Sequence, residues 1–225
     1  MRNRRQFVPL MLVLAALAVS AVAFPHLPAS VPTHWGVSGK PDQFDNRLEG
    51  ALKLPLVMLF IWSVFGLIPR YDRLLFIKYR VRDSDSSTVH PVYDVIVAVM
   101  LSLLLAIHVI AISSAVGLVG VTQEPIWIAL VTSVGAIATG NYLPRVTRRN
   151  AFIGVRFPWA YASEEVWRRT QRAGGYGMVA AGIAGLVGAI AVPSSPIKPL
   201  FVAMVAQAII VMIYSYYLAH SRTVS

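Results

Sequence analysis

The chain has 225 residues, is 56% hydrophobic and only 13% charged, and carries a formal net charge of +10 with no cysteine. Soluble domains are about 25% charged, so this chain lacks the polar surface a soluble globule needs, and disulfide or thiol chemistry is excluded. The positive charge invites a nucleic-acid reading, which the placement of the basic residues removes.

The first predicted element is FVPLMLVLAALAVSAVAF (7–24), preceded by MRNRRQ. A basic start, an apolar run and Ala-Val-Ala at 21–23 also fit a cleavable signal peptide. The run is long for a signal core and five more follow, so it is read as an uncleaved first span. Next comes the loop 25–50, where Pro25, Pro28 and Pro32 favour extended chain and Gly36, Gly39 and Pro41-Asp42 mark turns. Its GVSGKP is not a phosphate loop, because His34 stands where glycine is required and Pro41 where a magnesium-binding hydroxyl is required. His26, His34, Asp42 and Asp45 lack compact ligand spacing, so the expectation is no metal and no cofactor, with a folded cap carrying Trp35 at the interface.

Five further apolar runs follow at 51–69, 94–114, 125–143, 176–192 and 200–219. Each is near the ~20 residues a helix needs to cross a hydrocarbon core. Continuous runs without dyad alternation exclude a barrel. The fold class is therefore an all-α integral membrane protein, a six-transmembrane-helix bundle. Asp94 is placed in the first turn of the third span. His108 is on nearly the same face but ~21 Å further along the axis, too far for a relay without help from other helices. In the fifth span Gly177, Ala181, Gly185 and Ala189 recur every four residues, a row that admits a close helix neighbour. Packing within the bundle and dimerisation both fit, and the oligomeric state stays open.

Lysines and arginines number 3 before the first span, 5 between the second and third, 7 between the fourth and fifth and 1 after the sixth, against Lys40, Arg47, Lys53 and Lys198 on the alternate side. Such a bias in short loops sets N-in/C-in topology, explains the charge without DNA and gives no direct nucleic-acid partner. The chain divides into a two-span unit (1–69) with outer loop 25–50, a basic cytoplasmic linker (70–90), and a four-span domain (91–225) with cytoplasmic loop 144–173.

The charge gathers in GNYLPRVTRRNAFIGVRFPWAYASEEVWRRTQRAGG, residues 140–175. Ser163 is a helix cap, Glu164 and Glu165 occupy the positive helix end, and Arg168, Arg169 and Arg172 follow toward the negative end. Glu164 with Arg168 and Glu165 with Arg169 are i,i+4 pairs, and Gly174-Gly175 is expected to break this short helix from the fifth span. Aromatic residues mixed with arginines suit an anionic lipid headgroup layer. They also suit a protein partner, since Trp, Tyr and Arg dominate hot spots. Asn141, Arg156, Trp159, Glu164, Glu165, Trp167 and Arg168 are the candidate partner-binding residues, with Trp159 and Trp167 as anchors. No paired-histidine metal motif, nucleophile elbow or phosphate loop is present, so no catalytic residue and no enzyme activity are expected.

This stretch resembles the signature of the SdpI family, bacterial membrane immunity proteins of the sporulation-delay toxin system. The resemblance rests on Gly140, Asn141, Tyr142, Leu143, Pro144, Asn150, Phe152, Ile153, Gly154, Arg156, Pro158, Trp159, Ser163, Glu164, Glu165, Val166, Trp167, Gly174 and Gly175, with Val155, Phe157 and Ala151 departing from the pattern. LPASVPTHWGVSGKPDQF (27–44) is similar to the uncharacterised extracytoplasmic module that commonly precedes the SdpI region. The resemblance implies a multi-pass protein of the bacterial cytoplasmic (inner) membrane. It also implies a secreted toxin peptide met at or outside the membrane, with His34, Trp35 and Asp42 as candidate recognition residues, and a small winged-helix repressor held at the inner face. The alternative from the residues is a small-molecule or ion transporter with a path near Asp94 and Asn141.

Overall fold

The computed structural model describes residues 2–36, 41–79, 86–120, 123–150 and 153–221, with side chains from Phe7 onward except 66–93. In chain order these are α1 (Arg2–Ala23), β1 (Ser30–Trp35), β2 (Pro41–Asn46), α2 (Arg47–Tyr79), α3 (Ser86–Ala115), α4 (Glu124–Tyr142), α5 (Glu164–Ala191) and α6 (Lys198–His220). Each of the six described helices contains a stretch long and apolar enough to cross a membrane. The helices are therefore apolar nearly all round, and Phe60, Val187 and Ile213 are among many large side chains that remain exposed on the bundle.

The loop after α1 is more ordered than turns alone predict. β1 and β2 form an antiparallel hairpin in which Ser30 faces Asn46, Val31 faces Asp45 and Trp35 faces Pro41, with register irregularities either side of His34. Pro32 is tolerated because a two-stranded ribbon leaves each strand an open edge. The hairpin is seated by apolar contact, since Leu27 and Val31 bury against Ala51 of α2 and Ile112 of α3. Asp45 fastens it further, accepting from Lys53 Nζ at 2.6 Å and Thr33 Oγ1 at 2.7 Å. The Lys53 ammonium, with the Thr33 hydroxyl, holds the Asp45 carboxyl below the usual range. The turn containing Gly39 and Lys40 lies outside the described residues.

α1, α2 and α3 share a core of Val13, Ala16, Met58, Val97 and Leu101. A buried polar contact ties the same three helices. Ser20 Oγ lies 2.6 Å from the Ala51 carbonyl and 2.9 Å from His108 Nε2. A hydroxyl has one proton, and the shorter contact takes it, so Nε2–H of His108 is assigned as the donor to Ser20. Asp94 opens the third apolar span as expected, but it does not sit at a helix N-terminus, because α3 begins about two turns earlier at Ser86. Likewise much of the basic segment 70–90 is helical, α2 running to Tyr79 and α3 starting at Ser86, while 80–85 lie outside the described residues.

α4, α5 and α6 form the second group, with the most extensive packing in the molecule between α4 and α5 and between α5 and α6. Here one expectation fails. Gly174-Gly175 does not break the chain, and α5 runs unbroken for 28 residues. The pair serves close approach instead. A Cβ on Gly175 would sit 2.6 Å from the Gly140 carbonyl, and one on Gly140 would sit 2.7 Å from the Gly175 carbonyl. Tertiary contact between two backbones overrides the low helix propensity of glycine.

Candidate functional site

The segment between α4 and α5 is built around Trp167. The ring is fully buried among Leu143, Val146, Ile153 and Ala160. Its Nε1 donates to the Val146 carbonyl at 2.8 Å, and Tyr161 packs on it at 5.1 Å between centroids. Trp167 therefore cannot be a partner anchor, which corrects the expectation from sequence. Its position on the inward face of α5 makes it the pillar around which the loop folds.

Ser163 caps α5 as expected, accepting from the Val166 N–H at 3.1 Å. Of the two expected i,i+4 ion pairs only one forms. Glu165 accepts from Arg169 at 2.6 Å and from Arg168 at 2.5 Å. Glu164 instead reaches back across the loop to Arg149 Nε at 2.8 Å, and Arg149 also donates to the Tyr161 carbonyl at 2.9 Å. A bond spanning the loop orders more chain than one along a helix surface.

Two residues outside the candidate set complete the ties. Asn150 is buried, accepts from the Ile153 N–H at 2.8 Å through Oδ1, and its carbonyl accepts from the Tyr161 hydroxyl at 2.9 Å. Burial pushes the Tyr161 phenol up, partly opposed by Arg156. Gln171 is also fully buried, and its amide mimics a neighbouring strand. Oε1 accepts from the Val155 N–H at 2.8 Å and Nε2 donates to the Val155 carbonyl at 2.9 Å. The chain reaches this position through Gly154 at φ +117°, where a Cβ would lie 2.5 Å from Gln171 Oε1.

Gly154→Ala is accordingly expected to destabilise the protein by about 1–3 kcal/mol from backbone strain alone, with the Gln171 clash added. Gly117, at φ +81° with nothing within 4 Å of its Cβ position, is the control for strain without a clash. Thermal unfolding in detergent should show the larger loss for Gly154→Ala, and equal losses would refute the Gln171 contact.

Over this frame lies an exposed face. Asn141, Arg156, Glu164 and Arg168 are exposed, and the Asn141 carbonyl accepts from Arg145, whose guanidinium covers the Tyr142 ring at 4.7 Å. Trp159 is half-buried. It stacks on Phe157 at 5.6 Å and meets Tyr216 of α6 edge-on at 5.4 Å, which fixes the loop to α6. The structure thus brings Asn141, Arg156, Trp159, Glu164, Glu165 and Arg168 to one end of the bundle, with Trp167 beneath them.

The other three candidates sit at the opposite end, on the hairpin. His34 Nδ1 and Asp42 Oδ1 are 2.5 Å apart on its exposed side. Trp35 turns the other way, its indole nitrogen buried, so it is not part of that exposed surface.

Two parts of the chain match known families. Residues 146–217 match the SdpI/YfhL protein family, and residues 11–59 match a domain of unknown function, DUF1648. The chain is also similar to the uncharacterized membrane protein YbgB of Bacillus subtilis (strain 168), 40% identical over 52 residues, which is 23% of this chain and 57% of that protein. No solved structure matches. The first match contains Trp167, Asn150, Gln171 and the exposed Arg156, Glu164 and Arg168 but not Asn141, and the second contains the hairpin and the parts of α1 and α2 next to it. This multi-pass membrane protein carries an SdpI/YfhL family domain behind an N-terminal DUF1648 domain.

Proposed function

We propose that the chain is a non-catalytic immunity protein of the bacterial cytoplasmic membrane, with both termini and residues 144–173 inside and the hairpin outside. On this reading a secreted toxin peptide is met on the hairpin side, and a small winged-helix repressor is held on the loop side. The observation that carries the proposal is the rigidity of the loop. Asn150, Gln171, Trp167 and the Arg149–Glu164 pair fix its backbone, so that Arg156, Trp159 and Arg168 stand at set positions. Binding to anionic lipid needs only bases and rings, at about 1 kcal/mol per basic residue, and gains nothing from such ties. Preordered side chains do lower the cost of binding a protein.

Reversal of Glu164 and Glu165 to lysine is expected to abolish protection of cells and recruitment of the repressor while leaving insertion intact. Lipid anchoring predicts the opposite, because two added lysines strengthen attraction to an anionic leaflet. The swap Arg149→Glu with Glu164→Arg should restore function relative to Arg149→Glu alone, if the loop tie is what matters. A double reversal that inserts and protects normally would overturn the proposal.

The orientation has its own test. The chain has no cysteine, so Ser30→Cys and Thr147→Cys, both at exposed positions, report each side separately. In intact cells an impermeant maleimide is expected to label Ser30→Cys and spare Thr147→Cys, and the reverse pattern would invert the topology.

A further inference from the structure

Glu124 opens α4 and is fully buried. Its Oε2 accepts from Ser114 Oγ, at the end of α3, at 2.7 Å. Its Oε1 is buried without a hydrogen-bond partner, and so is Nε1 of Trp35, the last residue of β1. The indole N–H lies within interaction range of this carboxyl without closing a hydrogen bond of ordinary geometry. Three elements, the hairpin, α3 and α4, thus converge on one acid.

Among the described residues, the charged groups of the hairpin are engaged elsewhere. His34 pairs with Asp42 on the exposed side of the hairpin, and Asp45 pairs with Lys53 of α2. α3 presents Ser114 and, six residues deeper, His108, which bonds Ser20. Among the described residues no cation forms an ion pair with Glu124. An ionised carboxylate buried without a cation is strongly disfavoured, and ionisable groups at membrane depth mark functional positions. A neutral acid suits the surroundings better. The Ser114 hydroxyl, a donor to Oε2 in this structure, can rotate to accept Oε2–H of the neutral acid, which leaves the unpaired Oε1 as a carbonyl acceptor available to the Trp35 N–H.

We propose that Glu124 is a proton-binding site that controls the seating of the hairpin. Protonated, it joins Trp35 and Ser114 and holds the hairpin on the helix ends. When the proton passes to water, the buried anion is relieved by lifting the hairpin and admitting solvent. The sign follows from linkage. The open form releases the proton more readily, so opening is favoured as pH rises, by up to about tenfold per pH unit. The proposal stands apart from the loop-side reading and from the orientation of the chain.

The test uses the full chain in lipid nanodiscs, where both faces are accessible. Ala51→Cys places the only thiol beneath the hairpin, since Ala51 is 1% exposed against Leu27 and Val31 and the chain has no other cysteine. Its labelling by a polar maleimide is compared with and without Glu124→Gln, which fixes the neutral state and cancels the thiol's own ionisation. The ratio of the two rates is expected to climb with pH by about tenfold per unit before levelling, with Glu124→Gln the slower. A ratio that stays flat from mildly acidic to mildly alkaline pH overturns the proposal. Trp35→Phe keeps the ring and the acid but removes the N–H, and serves if Glu124→Gln does not insert. It should speed labelling severalfold at acid pH, where the hairpin is seated, and converge with the parent at alkaline pH. Identical profiles for Trp35→Phe and the parent would equally overturn the assignment.

Discussion

Replacing Trp167 by alanine is expected to destabilise the protein by about 3–5 kcal/mol, the range for removing a large aromatic side chain from a packed core. The residue is 0% exposed and belongs to the buried cluster at the centre of the loop. Its removal also strands the Val146 carbonyl, which receives the indole N–H. Trp167→Phe separates the two contributions, keeping most of the packing and losing the hydrogen bond, for about 1–3 kcal/mol where the acceptor stays buried. Denaturant unfolding in detergent measures the totals. Trypsin cleavage after Arg148 and Arg149 reports the loop by itself, and should accelerate in Trp167→Ala before the helices unfold. A variant with parental unfolding and parental trypsin resistance would show that the loop holds its shape without this residue.

The second large effect is expected at the crossing of α4 and α5. Gly140→Val puts a branched side chain where even a Cβ lies 2.7 Å from the Gly175 carbonyl, 2.8 Å from Met178 Cβ and 2.9 Å from the Val179 nitrogen. Two of those neighbours are backbone, so no rotamer change relieves the contact and the helices must part. Overpacking of cores costs about 1–3 kcal/mol, and this site belongs at or beyond the upper end. Gly185 is a useful contrast. Its Cβ position meets side-chain atoms, the Ser133 hydroxyl and Leu200, which can give way. Gly185→Ala combined with Leu200→Ala should recover part of the loss of Gly185→Ala, whereas Gly140→Val should gain nothing from Leu200→Ala. A cycle in which both pairs behave alike would remove the distinction between backbone and side-chain contact.

The bundle was legible in the sequence because hydropathy is a property of contiguous residues, and a span needs only length and apolarity. The Ser163 cap was legible for the same reason, its partner Val166 lying one turn away. Meaning that depends on distant residues was not. Gly174 and Gly175 read as a break by propensity, and only the presence of Gly140 and Pro144 against them turns the pair into a contact. Trp167 read as an anchor because Trp is common in interfaces, yet the cluster it fills comes from positions up to 24 residues earlier, at Leu143. Asn150 and Gln171 carry no local mark of their bonds to Ile153, Tyr161 and Val155. Nothing local marks Glu124, whose bonded partner Ser114 lies ten residues earlier at the end of α3.

The unbroken course of α5 has a mechanical consequence. At 1.5 Å per residue, its 28 residues make a rod of about 42 Å, some 12 Å longer than a hydrocarbon core of about 30 Å. The surplus falls where the sequence is charged, over Glu164–Arg172, so roughly two turns stand clear of the acyl chains as a mast. Its open side carries Glu164, Arg168 and Arg169, while Trp167 and Gln171 are turned into the loop and Thr170 meets Ser215 of α6. Because the mast and the buried shaft are one helix, locked to α4 by backbone contact at Gly140 and Gly175, a tilt imposed at either end is delivered to the other as leverage.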